Sequence, residues 1–303
     1  MATTKKRIGV HLSTAGGCFT AVNRAVEAGA NTFQIFSASP RMWKAAPVKP
    51  EDAKKMLDLR KQHDIGPISV HASYLINLCS KTETVRENST AAFRGEVERA
   101  LALGAENLVL HPGSWNGLTR QEGLRLAAES IERSIAGIDF SSTAGFRILI
   151  ENTAGAEFSL GGKLEQVAEL VATLQASGAP VGVCLDTCHM HVAGYDIVTA
   201  EGYADTMKLV GETVGFETVR VWHCNDAKAA KGSKLDRHEH IGEGTIGAEV
   251  FRRLLKDSRF GNALFIAETP VDAPGDEARN VGLLRTLAAG NNEVQVQLHG
   301  GSS

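Results

Sequence analysis

Seven of the chain's short apolar runs end in a side chain that can bind a metal or move a proton. The residues are His11, His71, His111, Glu151, Asp186, His223 and Glu268. Two denser clusters follow later runs: Asp186-Thr187-Cys188-His189 with His191, and Asp236-Arg237-His238-Glu239-His240. A lone histidine at a strand end is more often a hydrogen-bonded core residue, and an Asp-x-His in a charged loop is more often solvated surface. Repetition in one structural position changes that balance. Ionisable groups crowded into a buried site are costly unless a cation neutralises them. Imidazole and carboxylate donors without cysteine suit Zn²⁺ or Mn²⁺. Glu151, Asp186, His223 and Glu268 could together hold a single divalent ion. His71, His111, His189, Asp236 and His238 are then too many for one ion. The whole set fits three ions if a carboxylate bridges two of them and solvent completes the shells. Such a cluster is suited to cleaving a phosphodiester.

Eight β-rich runs must position these groups: 7–11, 32–36, 68–71, 107–111, 147–151, 181–186, 219–223 and 264–268. Helical patterns lie between them, at 19–28, 50–63, 85–103, 120–135, 163–177, 200–214, 247–256 and 276–288. Continuous apolar strands alternating with amphipathic helices predict a parallel sheet covered by helices. Eight such units predict a (β/α)8 TIM barrel, whose active site lies at the carboxyl ends of the strands. A doubly wound open sheet would need a phosphate-binding glycine loop after the first strand. Ser13-Thr14-Ala15-Gly16-Gly17 matches neither common pattern. The reading is one catalytic barrel domain over residues 1–290 and a disordered polar tail over 291–303.

Composition sets wider bounds. The 303 residues carry a formal charge of −3, which excludes a protein that binds nucleic acid with its whole surface. It leaves room for one basic face: 37–50 holds Arg41, Lys44 and Lys49 without an acid, and Lys228, Lys231, Lys234 and Arg237 follow the seventh run. Three divalent ions would more than offset the net charge. No apolar run approaches the roughly 18 residues of a membrane span, and MATTKKRIGVHLS lacks the apolar core of a secretion signal. Cys18, Cys79, Cys184, Cys188 and Cys224 are odd in number and irregularly spaced. They read as small reduced thiols of an intracellular protein.

Several longer stretches resemble the endonuclease IV family of abasic-site endonucleases, over about Arg7 to Leu287. They include His71-Ala72-Ser73-Tyr74-Leu75-Ile76-Asn77-Leu78, His111-Pro112-Gly113-Ser114, Ile150-Glu151-Asn152-Thr153-Ala154-Gly155 and Cys184-Leu185-Asp186-Thr187-Cys188-His189. Ala193-Gly194-Tyr195-Asp196, His223-Cys224-Asn225-Asp226, Asp236-Arg237-His238-Glu239-His240-Ile241-Gly242-Glu243-Gly244 and Glu268-Thr269-Pro270 follow in order. The resemblance implies a (β/α)8 barrel with three zinc ions, Mn²⁺ being a possible partial substitute. His71, His111 and Glu151 would hold the first ion. Glu151, Asp186, His223 and Glu268 would hold the second, and His189, Asp236 and His238 the third. Glu151 and Glu268 would be the catalytic carboxylates, Glu268 also orienting the nucleophile. The implied reaction is hydrolysis of the phosphodiester 5′ to an abasic site in double-stranded DNA. It gives a 3′-hydroxyl and a 5′-deoxyribose phosphate, with 3′-repair diesterase activity beside it. Arg41, in Ser39-Pro40-Arg41-Met42-Trp43-Lys44-Ala45-Ala46-Pro47, would enter the minor groove, and Tyr74 and Leu75 would fill the gap left by the flipped sugar. Ala72 replaces an acidic residue frequent in the family, and Ser37-Ala38-Ser39 departs from its usual polar triplet. His11 is a candidate partner for a ligand; His191 and His240 match no ligand. The protein is expected to be an intracellular monomer. The alternative is a single-metal sugar isomerase or epimerase on the xylose-isomerase-like barrel.

Overall fold

A computed structural model describes residues 6–290. The predicted tail at 291–303 lies outside the described residues. Eight parallel strands close into a barrel: β1 (Arg7–His11), β2 (Thr32–Phe36), β3 (Ser69–His71), β4 (Asn107–Leu110), β5 (Arg147–Glu151), β6 (Val181–Asp186), β7 (Val219–His223) and β10 (Leu264–Ala267). Each pairs with its sequence neighbours, and β10 closes on β1 with Arg7 opposite Leu264. Between β7 and β10 a short antiparallel pair, β8 (Asp226–Ala227) and β9 (His238–Glu239), rises from the loop.

The helices are α1 (Thr20–Glu27), α2 (Pro50–His63), α3 (Glu83–Ala102), α4 (Arg120–Ile135), α5 (Leu164–Ala176), α6 (Thr187–Ala193), α7 (Ala200–Thr213), α8 (Ala248–Lys256) and α9 (Asp276–Ala289). Their ends follow local chemistry. Pro50 starts α2 at a position needing no backbone N–H. Thr119 and Glu122 form a capping box at α4. No helix among the described residues is long and apolar enough to cross a membrane.

The strand period of two divides the apolar side chains into two cores. Leu108, Ile148, Ile150, Val183 and Phe265 face the helices in the larger core. Val109, Leu149, Cys184, Val221, Leu264 and Ile266 form the smaller cluster that fills the barrel. His111, Glu151, Asp186, His223 and Glu268 share the parity of this inner set, one step nearer the carboxyl ends. A packed floor therefore lies beneath the ionisable groups and keeps water out from below.

The expected elements match within a few residues. His111 and Glu268 fall one residue beyond β4 and β10, where the chain leaves the ladder for the loops. Helix α6 and the β8–β9 pair were not expected. At seven residues α6 is too short to show a periodic stripe, and it depends on the side-chain cap of Asp186. The β8–β9 region is tied down by Asp226, whose carboxylate accepts the backbone N–H groups of Gly242, Ile246 and Gly247. The loops after β3 and β4 meet at Gly113. Its φ is +113°, and a Cβ there would lie 2.9 Å from Asn77 Cα. Only glycine allows that approach, which lets Asn77 Oδ1 accept the N–H of Ser114 at 3.0 Å.

Candidate metal centre

Backbone carbonyls decide which nitrogen faces the site. A carbonyl only accepts, so His71 Nδ1 donates to Ala72 O (2.8 Å), His189 Nδ1 to Asn152 O (2.9 Å) and His238 Nδ1 to Glu268 O (3.0 Å). In each neutral ring the lone pair is then on Nε2. Those nitrogens point at carboxylates. His71 Nε2 is 3.2 Å from Glu151 Oε2, and His111 Nε2 is 2.9 Å from the same oxygen. His189 Nε2 is 3.2 Å from Asp236 Oδ2, and His238 Nε2 is 3.1 Å from Asp236 Oδ1. Despite these short separations, neither His189 Nε2 nor His238 Nε2 has a hydrogen-bond partner, and both are buried. His223 Nδ1 lies 3.0 Å from Glu151 Oε1 and 3.1 Å from Glu268 Oε2. Lone pairs facing anionic oxygens repel unless a cation sits between them. The donor set therefore fits divalent metal ions.

The donor atoms group as His71, His111 and Glu151; as Glu151, Asp186, His223 and Glu268; and as His189, Asp236 and His238, each set within 4.8 Å of one another. Cys184 and Cys188 complete two further triples. Burial pushes the Cys184 thiol up to about 12 and raises Cys188 as well, so neither is a ready thiolate. All five cysteines carry free thiols, in line with their spacing.

The electrostatics agree with that donor chemistry. Burial pushes the Glu151 carboxyl up, but His111 and His223 outweigh it and hold it well below the usual carboxylate range. Burial opposes ionisation of Glu268 too, yet His223 and His11 leave it lowered. His189 and His238 lower Asp236 against the same desolvation. Burial depresses His189, yet Asp186, Asp236 and Glu151 raise it well above its ordinary value. His238 rises to about 9 because Asp236 and Asp186 overcome its desolvation. Protons are the cations these carboxylates draw onto the imidazoles; a metal ion would answer the same field.

The loops proposed to read DNA sit on the same face. Arg41 Nε donates to Tyr74 OH at 3.3 Å, and Ser73 Oγ donates to Pro40 O at 2.6 Å, joining the two loops. Tyr74 is 58% exposed and Leu75 is half-buried. Tyr74, Asn77, Ser114, His111, His189 and Asp236 line a cavity of about 330 Å³ beside the histidine–carboxylate cluster.

A family model described as a xylose isomerase-like TIM barrel matches residues 22–287. A protein of Solibacter usitatus named probable endonuclease 4 is 45% identical over 283 residues, covering 93% of this chain and 97% of that protein. The chain belongs to the endonuclease IV family. The crystal structure of endonuclease IV from Thermus thermophilus aligns with a TM-score of 0.82 at 35% identity, over 93% of this chain and 99% of that one. A D-tagatose 3-epimerase-like protein aligns at 0.69 with 22% identity, over 93% and 97%, and shares the fold.

In this member of the endonuclease IV family, several residues that sequence reasoning passed over hold the cluster in place. Asn225 is fully buried; its Nδ2 donates to Asp186 Oδ2 at 2.6 Å, and its Oδ1 accepts the N–H of Glu268 at 2.7 Å. Asn152 Oδ1 accepts the N–H of Asp186 at 2.7 Å. Gln34 reaches Glu268 and His223 from β2, the one barrel strand with no ionisable residue at its carboxyl end or one residue past it. The available signal was a buried-strand pattern, Thr32-Phe33-Gln34-Ile35-Phe36, interrupted by an amide. His11 does lie beside the cluster, with Nδ1 3.6 Å from Glu268 Oε1. His191 and His240 do not: they pair with Thr245 and Asn280.

Proposed function

We propose that this protein is an abasic-site endonuclease of DNA base excision repair that works through three zinc ions. It hydrolyses the phosphodiester 5′ to the lesion and leaves a 3′-hydroxyl and a 5′-deoxyribose phosphate. A 3′-repair diesterase activity accompanies it, and Mn²⁺ can substitute for part of the zinc. The observation that carries the reading is the double use of Glu151. Its Oε2 faces His71 and His111 while its Oε1 faces His223, and His189, Asp236 and His238 form a further set. A one-metal sugar epimerase needs only Glu151, Asp186, His223 and Glu268, and has no use for the other five donors.

His71, His111 and Glu151 would hold one ion, Glu151, Asp186, His223 and Glu268 the second, and His189, Asp236 and His238 the third. Divalent zinc in these positions supplies Lewis acidity, lowering the pKa of water towards about 7 and offsetting negative charge on a phosphodiester and its leaving oxygen. The remaining work belongs to the chain. Glu268 is held by Asn225 at its N–H, so its carboxylate can orient the attacking water as well as bind metal. The packed barrel floor excludes water from below, which strengthens each charge interaction. Arg41 enters the minor groove, and Tyr74 and Leu75 take the space of the flipped residue. An abasic site has no base to unstack, so opening it costs less than the few kcal/mol of an intact nucleotide.

Metal analysis of the purified chain, with incubation of a duplex carrying one abasic-site analogue, tests the proposal. About three zinc ions per chain are expected, with a single nick 5′ to the lesion. One ion per chain, an intact duplex and turnover of an aldose or ketose would overturn it in favour of the epimerase reading.

The loop residues give a separate expectation. Arg41→Ala or Tyr74→Ala should weaken binding to the abasic duplex by roughly tenfold, on the scale of about 1–3 kcal/mol for one lost groove or stacking contact. Metal content should stay at the wild-type level, because neither side chain belongs to a donor set. Loss of zinc in either variant would assign the loops a structural role.

A further inference from the structure

Gln34 is fully buried in the middle of β2, between His11 on β1 and Ser69 on β3 in the ladder. The parity of the strand sends its side chain into the barrel, where an apolar residue would fill the space without burying an amide. An amide left unsatisfied there would be costly. Its bonds therefore carry the explanation for its presence. Gln34 Nε2 donates to Glu268 Oε1 at 2.5 Å and lies 3.1 Å from His11 Nδ1. Gln34 Oε1 lies 2.9 Å from His223 Nε2. A carboxylate only accepts, so the NH₂ end must face Glu268, and the oxygen must face His223. That orientation leaves His223 one neutral form, with the proton on Nε2 and the lone pair on Nδ1. Nδ1 is the atom 3.0 Å from Glu151 and 3.1 Å from Glu268.

We infer that Gln34 is a positioning residue: a single amide turns His223 Nδ1 and Glu268 Oε2 towards the same point. One oxygen of Glu268 is occupied by the amide, so the other is left for the cluster. Asn225 completes the hold from the opposite side, with Nδ2 3.4 Å from Glu268 Oε2. Tautomer control of a metal-binding histidine by the hydrogen bond at its far nitrogen is a general device, and losing such a partner typically weakens metal binding about 10–100-fold. Through Gln34, β2 joins the other seven strands in shaping the site, although it contributes no ionisable group.

The inference rests on the metal centre proposed above, and the test separates the two. Full-length zinc-loaded protein is compared with Gln34→Met, which keeps the length of the side chain and removes both amide bonds. In competition with a chromophoric chelator, one zinc should be held about 10–100-fold more weakly while the others keep their affinity. The kcat for an abasic duplex should fall by a similar factor with KM unchanged, since Gln34 lies below the DNA-reading loops. Wild-type affinity at every ion with a kcat within about twofold would remove Gln34 from the site. Wild-type protein that binds no zinc would sink the metal centre itself and this inference with it. Should Gln34→Met not fold, the wild type decides the matter. Long-range ¹H–¹⁵N correlation of the zinc-loaded protein should show His223 carrying its proton on Nε2. A proton on Nδ1 would overturn the inference.

Discussion

Glu151→Gln should lower the metal content from about three ions per chain to about one and reduce abasic-site cleavage by on the order of 10³-fold. The carboxylate lies at the centre of the cluster and is completely buried. Its two oxygens serve different partners, Oε2 facing His71 and His111 and Oε1 facing His223. Glutamine keeps the shape but turns one oxygen into an NH₂, which donates to an imidazole lone pair and cannot bind a cation. Both ions that share Glu151 lose a donor. His189, Asp236 and His238 keep theirs, so a single ion should remain. The fold should survive, because glutamine has nearly the volume of glutamate and leaves no cavity. In the metal-free state the variant should melt below the wild type, because His111 and His223 lose the carboxylate they pair with. The rise in Tm that zinc gives the wild type should largely disappear, since stabilisation by a ligand follows its affinity for the folded state. Metal analysis and paired melting curves check this. A variant that keeps three zinc ions would remove Glu151 from its bridging position.

Glu268→Gln should separate binding from chemistry. The residue stands just past β10, with Oε1 on Gln34 and Oε2 3.1 Å from His223 Nδ1. Its backbone N–H is held by Asn225 and its carbonyl by His238, so the peptide keeps its position whatever the side chain. The amide still accepts from Gln34 but no longer offers an anionic oxygen to metal or water. Cleavage should fall about 10²–10³-fold, the loss typical when one oriented electrostatic group is removed. Binding to an abasic duplex should change little, because Arg41, Tyr74 and Leu75 lie on other loops. A binding titration beside a single-turnover cleavage assay reads both quantities. Near-normal cleavage would take Glu268 off the catalytic list, and equal losses in binding and cleavage would assign it to DNA contact.

The two variants probe parts of the site that differed in how plainly they stood in the sequence. His71, Glu151, Asp186 and His223 end their strands as the apolar runs predicted. A run buried on both faces has a visible end, and a polar side chain at that end has only the barrel mouth to occupy. His189 was harder to place. Its position depends on α6, which begins because Asp186 Oδ1 accepts the N–H of His189 at 2.8 Å. One carboxylate thereby caps the helix and, through Oδ2, faces His223 at 3.8 Å. Asp236 and His238 depend on a two-residue ladder whose anchor, Asp226, carries no periodic signal. Gln34 and Asn225 were invisible as site residues, because a buried amide in a strand or loop is informative only when its partners are known.

By itself the sequence determined the alternation of strand and helix, and with it a closed parallel barrel and the face on which the ionisable residues gather. Those are consequences of local periodicity, since a strand's parity and a helix's apolar stripe are set by residues close together in the chain. The sequence also carried imidazole and carboxylate donors of the kind that suit Zn²⁺ or Mn²⁺. Tertiary structure alone decided which nitrogen of each histidine faces inward and which oxygen of Glu151 serves which imidazoles. It also decided which amides hold the carboxylates still. Apart from His71, whose Nδ1 donates to the carbonyl of the adjacent Ala72, these depend on hydrogen bonds between residues 30 to more than 200 positions apart, such as Gln34 to Glu268. No local pattern encodes such pairs; closing the barrel brings them within hydrogen-bond reach.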